Sequence, residues 1–260
     1  MTLAPDFRFG PYVVVGLLGA GLCGEVYRCR DAVHGREVAL KILRPESGQL
    51  EDSMVVQFHQ EAAILGSFHH PNVVEVFDAG VEDGTHYIAS EFLDGGTLSG
   101  PLPAHELAAV AAQAAAGIKA MHDAGIVHND VKPLNLIVTT NGNVKIIDFG
   151  MAQQLTPEMA ADPQQLAEWR TAVRLDQLAL GLTLYELATG QAPFENPETA
   201  RTLAWLLGSQ LLPLPPETQS SMQSAVRLCA AEDDDHAGLL LTAMSVALSL
   251  AGAPFPIRGG

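Results

Sequence analysis

The chain has 260 residues, 48% hydrophobic and 17% charged, with 30 acidic against 14 basic side chains and a formal net charge of −16. Such a composition is globular, long enough for one large domain or two small lobes, and able to bury a core without disulfide or metal staples. The acidic balance excludes the clustered Lys and Arg that phosphate contacts demand, so no nucleic-acid partner is expected. Cys23, Cys29 and Cys229 are too scattered for a disulfide framework or a zinc site and fit a reducing compartment. The start, Met-Thr-Leu-Ala-Pro-Asp, lacks the basic and apolar regions of a signal peptide, so a cytoplasmic protein is expected.

Taken in chain order, residues 12–18, 25–30 and 36–43 read as strands, separated by Gly-bearing turns such as His34-Gly35. Residues 54–67 carry Val55, Phe58, Ala62 and Leu65 at the spacing of a helix face. Residues 73–78 and 86–92 read as two more strands, joined across Glu82-Asp83-Gly84. Beyond Gly95-Gly96 the character changes to an Ala-rich helix over 103–124, stopped by Gly125. Two short apolar pieces, 136–139 and 144–147, flank Asn141-Gly142-Asn143 as a hairpin. From Leu175 onward the pattern is helical, broken by Pro213, Pro215 and Pro216. The apolar run at 239–250 is interrupted by Thr242, Ser245 and Ser249 and has no basic flank, so it reads as a buried helix and no membrane span is expected.

Chemistry concentrates in four places. Leu18-Gly19-Ala20-Gly21-Leu22-Cys23-Gly24-Glu25-Val26 spaces its glycines so that backbone N–H groups can approach a phosphate. Strand residues follow the glycines where a dinucleotide-binding fold needs a helix, so that fold is disfavoured. Val38-Ala39-Leu40-Lys41 puts a cation inside an apolar strand, and Glu61 on the next helix is positioned to hold it. His128-Asn129-Asp130-Val131-Lys132-Pro133-Leu134-Asn135 is followed by Asp148-Phe149-Gly150. Loops bracketing one hairpin thus carry a base, a cation and two oxygen ligands suited to magnesium and substrate phosphates.

Together, in this order, these motifs resemble the eukaryotic-like Ser/Thr protein kinase family, most closely its bacterial members, from about Phe9 to Ala251. The resemblance implies an α+β, bilobal protein-kinase-like fold. A small β-rich N-lobe with one key helix would occupy residues 1–93, and a larger α-helical C-lobe residues 94–260. It implies ATP beneath Gly19, Gly21 and Gly24, with Leu18, Ala20, Leu22, Cys23 and Val26 of the same loop beside it. Ala39, Ser90 and Ile137 would line the base, and Glu91 and Leu93 would offer it backbone groups. Lys41, fixed by Glu61, would contact the α- and β-phosphates. Asp130 would take or orient the substrate hydroxyl proton, and Lys132 would steady the γ-phosphate. Asn135 and Asp148 would hold Mg²⁺, or Mn²⁺ in its place. Asp176 matches the family's buried aspartate that supports the catalytic-loop backbone, and Lys132 points to the Ser/Thr branch.

The departures are specific. Asn129 stands where most members carry the Arg that pairs with a phosphorylated loop, and the stretch from Asp148 to Leu175 is short, without a G-T-x-x-Y-x-x-P-E block. Ala231-Glu232-Asp233-Asp234-Asp235-His236 replaces the usual Arg partner of that block, and the segment before Pro103 leaves the helix after the hinge clipped. Cys23 replaces an aromatic residue at the loop tip and reads as a small apolar substitution. The expected activity is ATP- and Mg-dependent phosphorylation of a protein Ser/Thr hydroxyl, independent of loop phosphorylation, with control by a regulatory partner protein. A pseudokinase scaffold and a small-molecule phosphotransferase stand as alternatives.

Overall fold

The computed structural model describes residues 2–21, 24–44 and 50–190. The described chain divides into two compact units, one reaching to Asp94 and joined by Asp148–Met151, the other of Gly95–Ile147 with the described residues from Ala152.

In the first unit, β1 (Arg8–Phe9), β2 (Tyr12–Gly21), β3 (Gly24–Asp31), β4 (Arg36–Leu43), β5 (Val76–Glu82) and β6 (Thr85–Glu91) build an antiparallel sheet ordered β1-β2-β3-β4-β6-β5. Period-two alternation sorts its side chains. Val38, Leu40 and Ile42 are fully buried and pack with Phe9, Tyr12, Val14, Tyr27, Cys29 and Ala89 on one face. Each buried aliphatic side chain contributes about 1.5–3 kcal/mol. The registers Val26↔Lys41↔Ile88 and Arg28↔Ala39↔Ser90 place Val26, Ala39, Lys41 and Ser90 together on the other face. The helix α1 (Asp52–Ser67) packs there through Phe58 and Ala62 against Leu43 and Ile88. The hairpin turn at His34-Gly35 forms as expected, with Gly35 at φ 67°. Buried Asp31 closes it by accepting the N–H groups of Val33 at 2.9 Å and His34 at 3.1 Å.

In the second unit, β7 (Gly96–Thr97) pairs with β9 (Leu136–Val138), which pairs in turn with β10 (Val144–Ile146) across the Asn141-Gly142-Asn143 turn. The helix α2 (Ala104–Asp123) buries Leu107, Ala111, Ala114, Ala115, Ile118 and Met121. It ends at Gly125, φ 72°, whose N–H reaches the carbonyl of His122. The two-residue strand β8 (Ile126–Val127) then pairs with β11 (Gln153–Gln154). The short α3 (Pro157–Ala161) and the long α4 (Pro163–Thr189) complete the described elements.

Two expectations shift. The fifth strand starts at Val76, not at residue 73, because a turn at His70–Asn72 precedes it and the ladder is interrupted after an isolated bridge at Val73, although Val73 and Val74 are both buried. The periodicity of so short an apolar run does not fix where the ladder begins. The long helix starts at Pro163, not at Leu175, since Asp162 caps it by accepting from the N–H groups of Gln164 and Gln165. Asp-Pro is a legible start signal that the thin apolar stripe of the first turns obscures. No helix occurs between β6 and α2, as the clipped segment implied. The Pro213 cluster, residues 231–236, the apolar run at 239–250 and Cys229 lie outside the described residues. Among the described residues no helix is long and apolar enough to cross a membrane.

Candidate functional site

The first unit brings Lys41, Glu61 and Asp148 together. On β4, Lys41 projects from the face that α1 covers, and its Nζ donates to Glu61 Oε1 at 2.8 Å and Oε2 at 2.7 Å. Asp148 Oδ1 stands 3.8 Å from the same nitrogen. Glu61 is only 6% exposed, and burial pushes its carboxyl above the ordinary Glu value. Lys41 pulls in the opposite direction, and the Asp148 charge adds to the rise. Asp148 itself is half exposed and sits at φ 63°, a left-handed conformation that Asp tolerates better than most residues.

The glycines differ in what they do. A Cβ on Gly24 would run into the Ile42 carbonyl, so close approach of β3 to β4 excludes any side chain there. Gly19 and Gly21 instead face open space, room that their backbone N–H groups need to reach a ligand. Leu18 and Ala20 are exposed along β2, whereas Leu22 and Cys23 lie outside the described residues. Val26, Ala39 and Ser90 share the Lys41 face, as the registers require. Ser90 Oγ donates to the Ala39 carbonyl at 3.4 Å. The Glu91 N–H is engaged by the Glu75 carbonyl at 2.9 Å. Leu93 follows, half-buried. Cys29 is fully buried, and burial pushes its thiol up to about 12, so it is an inert core residue.

The second unit assembles a carboxylate. Asp130 Oδ2 accepts from Lys132 Nζ at 2.5 Å and from Asn135 Nδ2 at 3.0 Å, and Asn135 also donates to the Asp130 carbonyl at 2.8 Å. Among the described residues both side-chain bonds fall on Oδ2, which leaves Oδ1 open. The Asn135 amide is held by its nitrogen, so its oxygen is the atom available to a cation. Ile137 lies on β9 opposite Lys145 and Thr97.

The loop carrying Asp130 is set by a buried acid. Asp176, 1% exposed on α4, accepts the backbone N–H of His128 at 2.7 Å and of Asn129 at 2.8 Å. It also accepts from His122 Nε2 at 3.0 Å. His128 Nε2 lies 3.0 Å from the Ile147 carbonyl, and His128 Nδ1 lies 3.2 Å from the Asp130 N–H. Those partners fix the tautomer with the proton on Nε2. Asn129 sits at φ 64°, where an Asn is tolerated far better than a long side chain. Sequence reasoning placed His128 in the motif but gave it no role, and it did not single out His122 or this conformation. The position of His128 two residues before Asp130 was the available signal.

The site residues expected from the sequence thus gather into two groups, Lys41 with Glu61 and Asp148 in one unit, Asp130 with Lys132 and Asn135 in the other. Asp148 in the first unit carries a carboxylate oxygen and Asn135 in the second an amide oxygen, each of the hard oxygen type that Mg²⁺ takes.

Residues 12–234 match the family described as protein kinase domain. The serine/threonine-protein kinase PrkC of Bacillus subtilis is 33% identical over 213 residues, covering 75% of this chain and 33% of that protein. The serine/threonine-protein kinase Pkn1 of Myxococcus xanthus is 36% identical over 241 residues, covering 84% of this chain and 34% of that protein. The chain therefore spans about a third of the length of these curated relatives. Among solved structures, the kinase domain of PknI from Mycobacterium tuberculosis matches with a TM-score of 0.62 at 28% identity, covering 96% of this chain and 94% of that one.

Two outcomes are expected from this geometry. Asp176→Asn replaces one acceptor oxygen by a donor that faces a backbone N–H, and it should lower the unfolding free energy by about 3 kcal/mol in urea titrations. A loss below about 0.5 kcal/mol would show that the loop backbone is held by other means. Glu61, with a folded pKa raised above its unfolded value, adds stability below the unfolded value and loses it as pH rises through the folded one. Wild type should therefore gain stability relative to Glu61→Gln as pH is lowered from 7.5 toward 5 in parallel urea titrations. The opposite slope would refute the assignment.

Proposed function

The chain belongs to the protein kinase domain family, of the bacterial serine/threonine type, and from that premise we propose that it transfers the γ-phosphoryl group of ATP to a Ser or Thr hydroxyl of a protein. The observation that carries the reading is the Asp130 carboxylate. One oxygen is pinned by Lys132 and Asn135, the backbone before it is pinned by Asp176, and the second oxygen is left to receive a proton.

In the proposed step the substrate oxygen attacks the γ-phosphorus as the bond to the β–γ bridging oxygen breaks, ADP departs, and the hydroxyl proton passes to Asp130. Lys132 offsets charge on the transferred group. Lys41, held by Glu61, contacts the α- and β-phosphates. Asp148 and Asn135 would hold Mg²⁺, or Mn²⁺, which would neutralise phosphate charge when bound. Because the Glu91 N–H is already used, Glu91 offers the base its carbonyl, and Leu93 offers its N–H. The −16 net charge favours basic protein substrates by long-range attraction. We place this activity in the cytoplasm, under control of a partner protein.

Control by loop phosphorylation is not part of the reading. Asn129 carries no charge to pair with a phosphate. Thr156 and Thr171, the only threonines between Asp148 and Asp176, already serve helices. Thr156 Oγ1 accepts the Met159 N–H at 3.3 Å as the cap of α3, and Thr171 Oγ1 donates to the Ala167 carbonyl at 3.0 Å within α4.

With γ-labelled ATP, Mg²⁺ and casein or myelin basic protein, label should appear on protein. Asp130→Ala should lose about 10²–10⁴ in kcat while binding Mg·ATP normally, whereas Asp148→Ala should lose both turnover and Mg·ATP affinity. Near-full turnover in Asp130→Ala would overturn the role given to Asp130, and nucleotide binding without transfer in wild type would mark a scaffold. The Thr156→Ala/Thr171→Ala double variant and phosphatase-treated wild type should each stay within about tenfold of untreated kcat/KM. A larger loss with the fold intact would show that a loop phosphate is required.

A further inference from the structure

Helix α1 carries Glu61, so whatever fixes the helix fixes the Lys41 pair. Its buried residues are Phe58, Glu61, Ala62, Ile64 and Leu65, all beyond its first six positions. At the other end Glu51 provides no side-chain cap, and Val55 is only partly buried. Among the described residues the first turns of α1 therefore have little apolar anchorage and no side-chain cap.

His59 Nε2 lies 2.9 Å from His86 Nδ1 on β6, and nearer the N-terminus a second polar contact holds the helix. The Gln57 amide Nε2 donates to the carbonyl of Gly150 and lies 3.5 Å from Met151 Sδ. Gln57 and Glu61 are four apart and so share one side of the helix. Gly150 is the last residue of Asp148-Phe149-Gly150. A Cβ built on it would stand 3.3 Å from Asp148 Oδ1 and 3.8 Å from Glu61 Oε2. Gln57, Glu61, Lys41, Asp148 and Gly150 thus form one connected set within the first unit.

We propose that Gln57 is a positioning residue, an uncharged tether that couples helix α1 to the Asp148-Phe149-Gly150 segment without any phosphate. It does not touch the nucleotide. It acts through Gly150 on Asp148 and along the helix on Glu61. An amide donating to a carbonyl involves no net charge, so the tether is insensitive both to phosphatase and to added salt. That fits a chain in which Asn129 is neutral and the nearby threonines are committed to helix caps and backbone bonds. The kinetic arm of the test rests on the phosphotransfer reading, and the exchange arm does not.

Gln57→Glu keeps the shape and removes the donor, Gln57→Ala removes the side chain, and Gln57→Lys restores a donor of similar reach. Both Gln57→Ala and Gln57→Glu should lower kcat about five- to tenfold, with KM for the protein substrate unchanged and Tm within about 2 °C of wild type. Gln57→Lys should recover to within about twofold of wild type, and raising salt from 50 to 300 mM should leave the wild-type ratio to Gln57→Ala constant. By hydrogen exchange, residues 52–57 and Asp148–Met151 should exchange faster in the Ala and Glu variants, while the β2–β3 hairpin does not change. Unchanged exchange and turnover in Gln57→Ala would overturn the tether. So would a defect confined to Gln57→Glu, which would report its new charge beside Asp148. If wild type itself transfers no phosphate, the phosphotransfer reading fails, and exchange alone decides the tether.

Discussion

A carboxylate buried to 1% exposure must either be protonated, be paired, or collect enough hydrogen bonds to replace its water, and Asp176 takes the last course. Two backbone N–H groups from consecutive residues and one imidazole N–H converge on it. Hydrogen bonds to a charged acceptor contribute about 1.5–3 kcal/mol each, enough to hold a backbone turn of otherwise unfavourable shape. That turn includes Asn129 at positive φ, and it delivers Asp130 to Lys132 and Asn135. The rest of the second unit can be read as its support. Helix α2 brings His122, α4 brings Asp176, and Thr183 on α4 lies 3.4 Å from the Val131 carbonyl.

The first unit meets the opposite problem. Glu61 is buried and ionised because Lys41 is there, yet burial still raises its pKa, so the ion pair is maintained at some cost in stability. A hydrophobic pair of the same volume would make the sheet–helix contact more stable and leave no cation on this face. Stability is given up at this pair, and the opposite face of the sheet, with Val38, Leu40 and Ile42 fully buried, supplies it.

Strands and helices were legible where one periodicity dominated: β4 alternates cleanly, and the first unit's sheet follows from such segments. Legibility failed at two kinds of place. Val73 and Val74 are apolar like strand residues, but how far the ladder extends back from Val76 depends on the turn at His70–Asn72, after which only an isolated bridge at Val73 forms. The start of α4 was hidden because a cap is a local hydrogen bond and not a hydrophobic pattern.

By itself the sequence determined the family, the two-lobed α+β class and the identity of the charged residues, because spacing and residue type are properties of the chain alone. It did not determine which oxygen of Asp130 is occupied, which tautomer His128 adopts, that Gln57 reaches Gly150, or that Thr156 and Thr171 are already engaged. Each of these is a hydrogen bond between groups whose distance and direction are set by other residues. Direction in three dimensions is not written in one-dimensional spacing; only the folded backbone decides where a donor meets an acceptor.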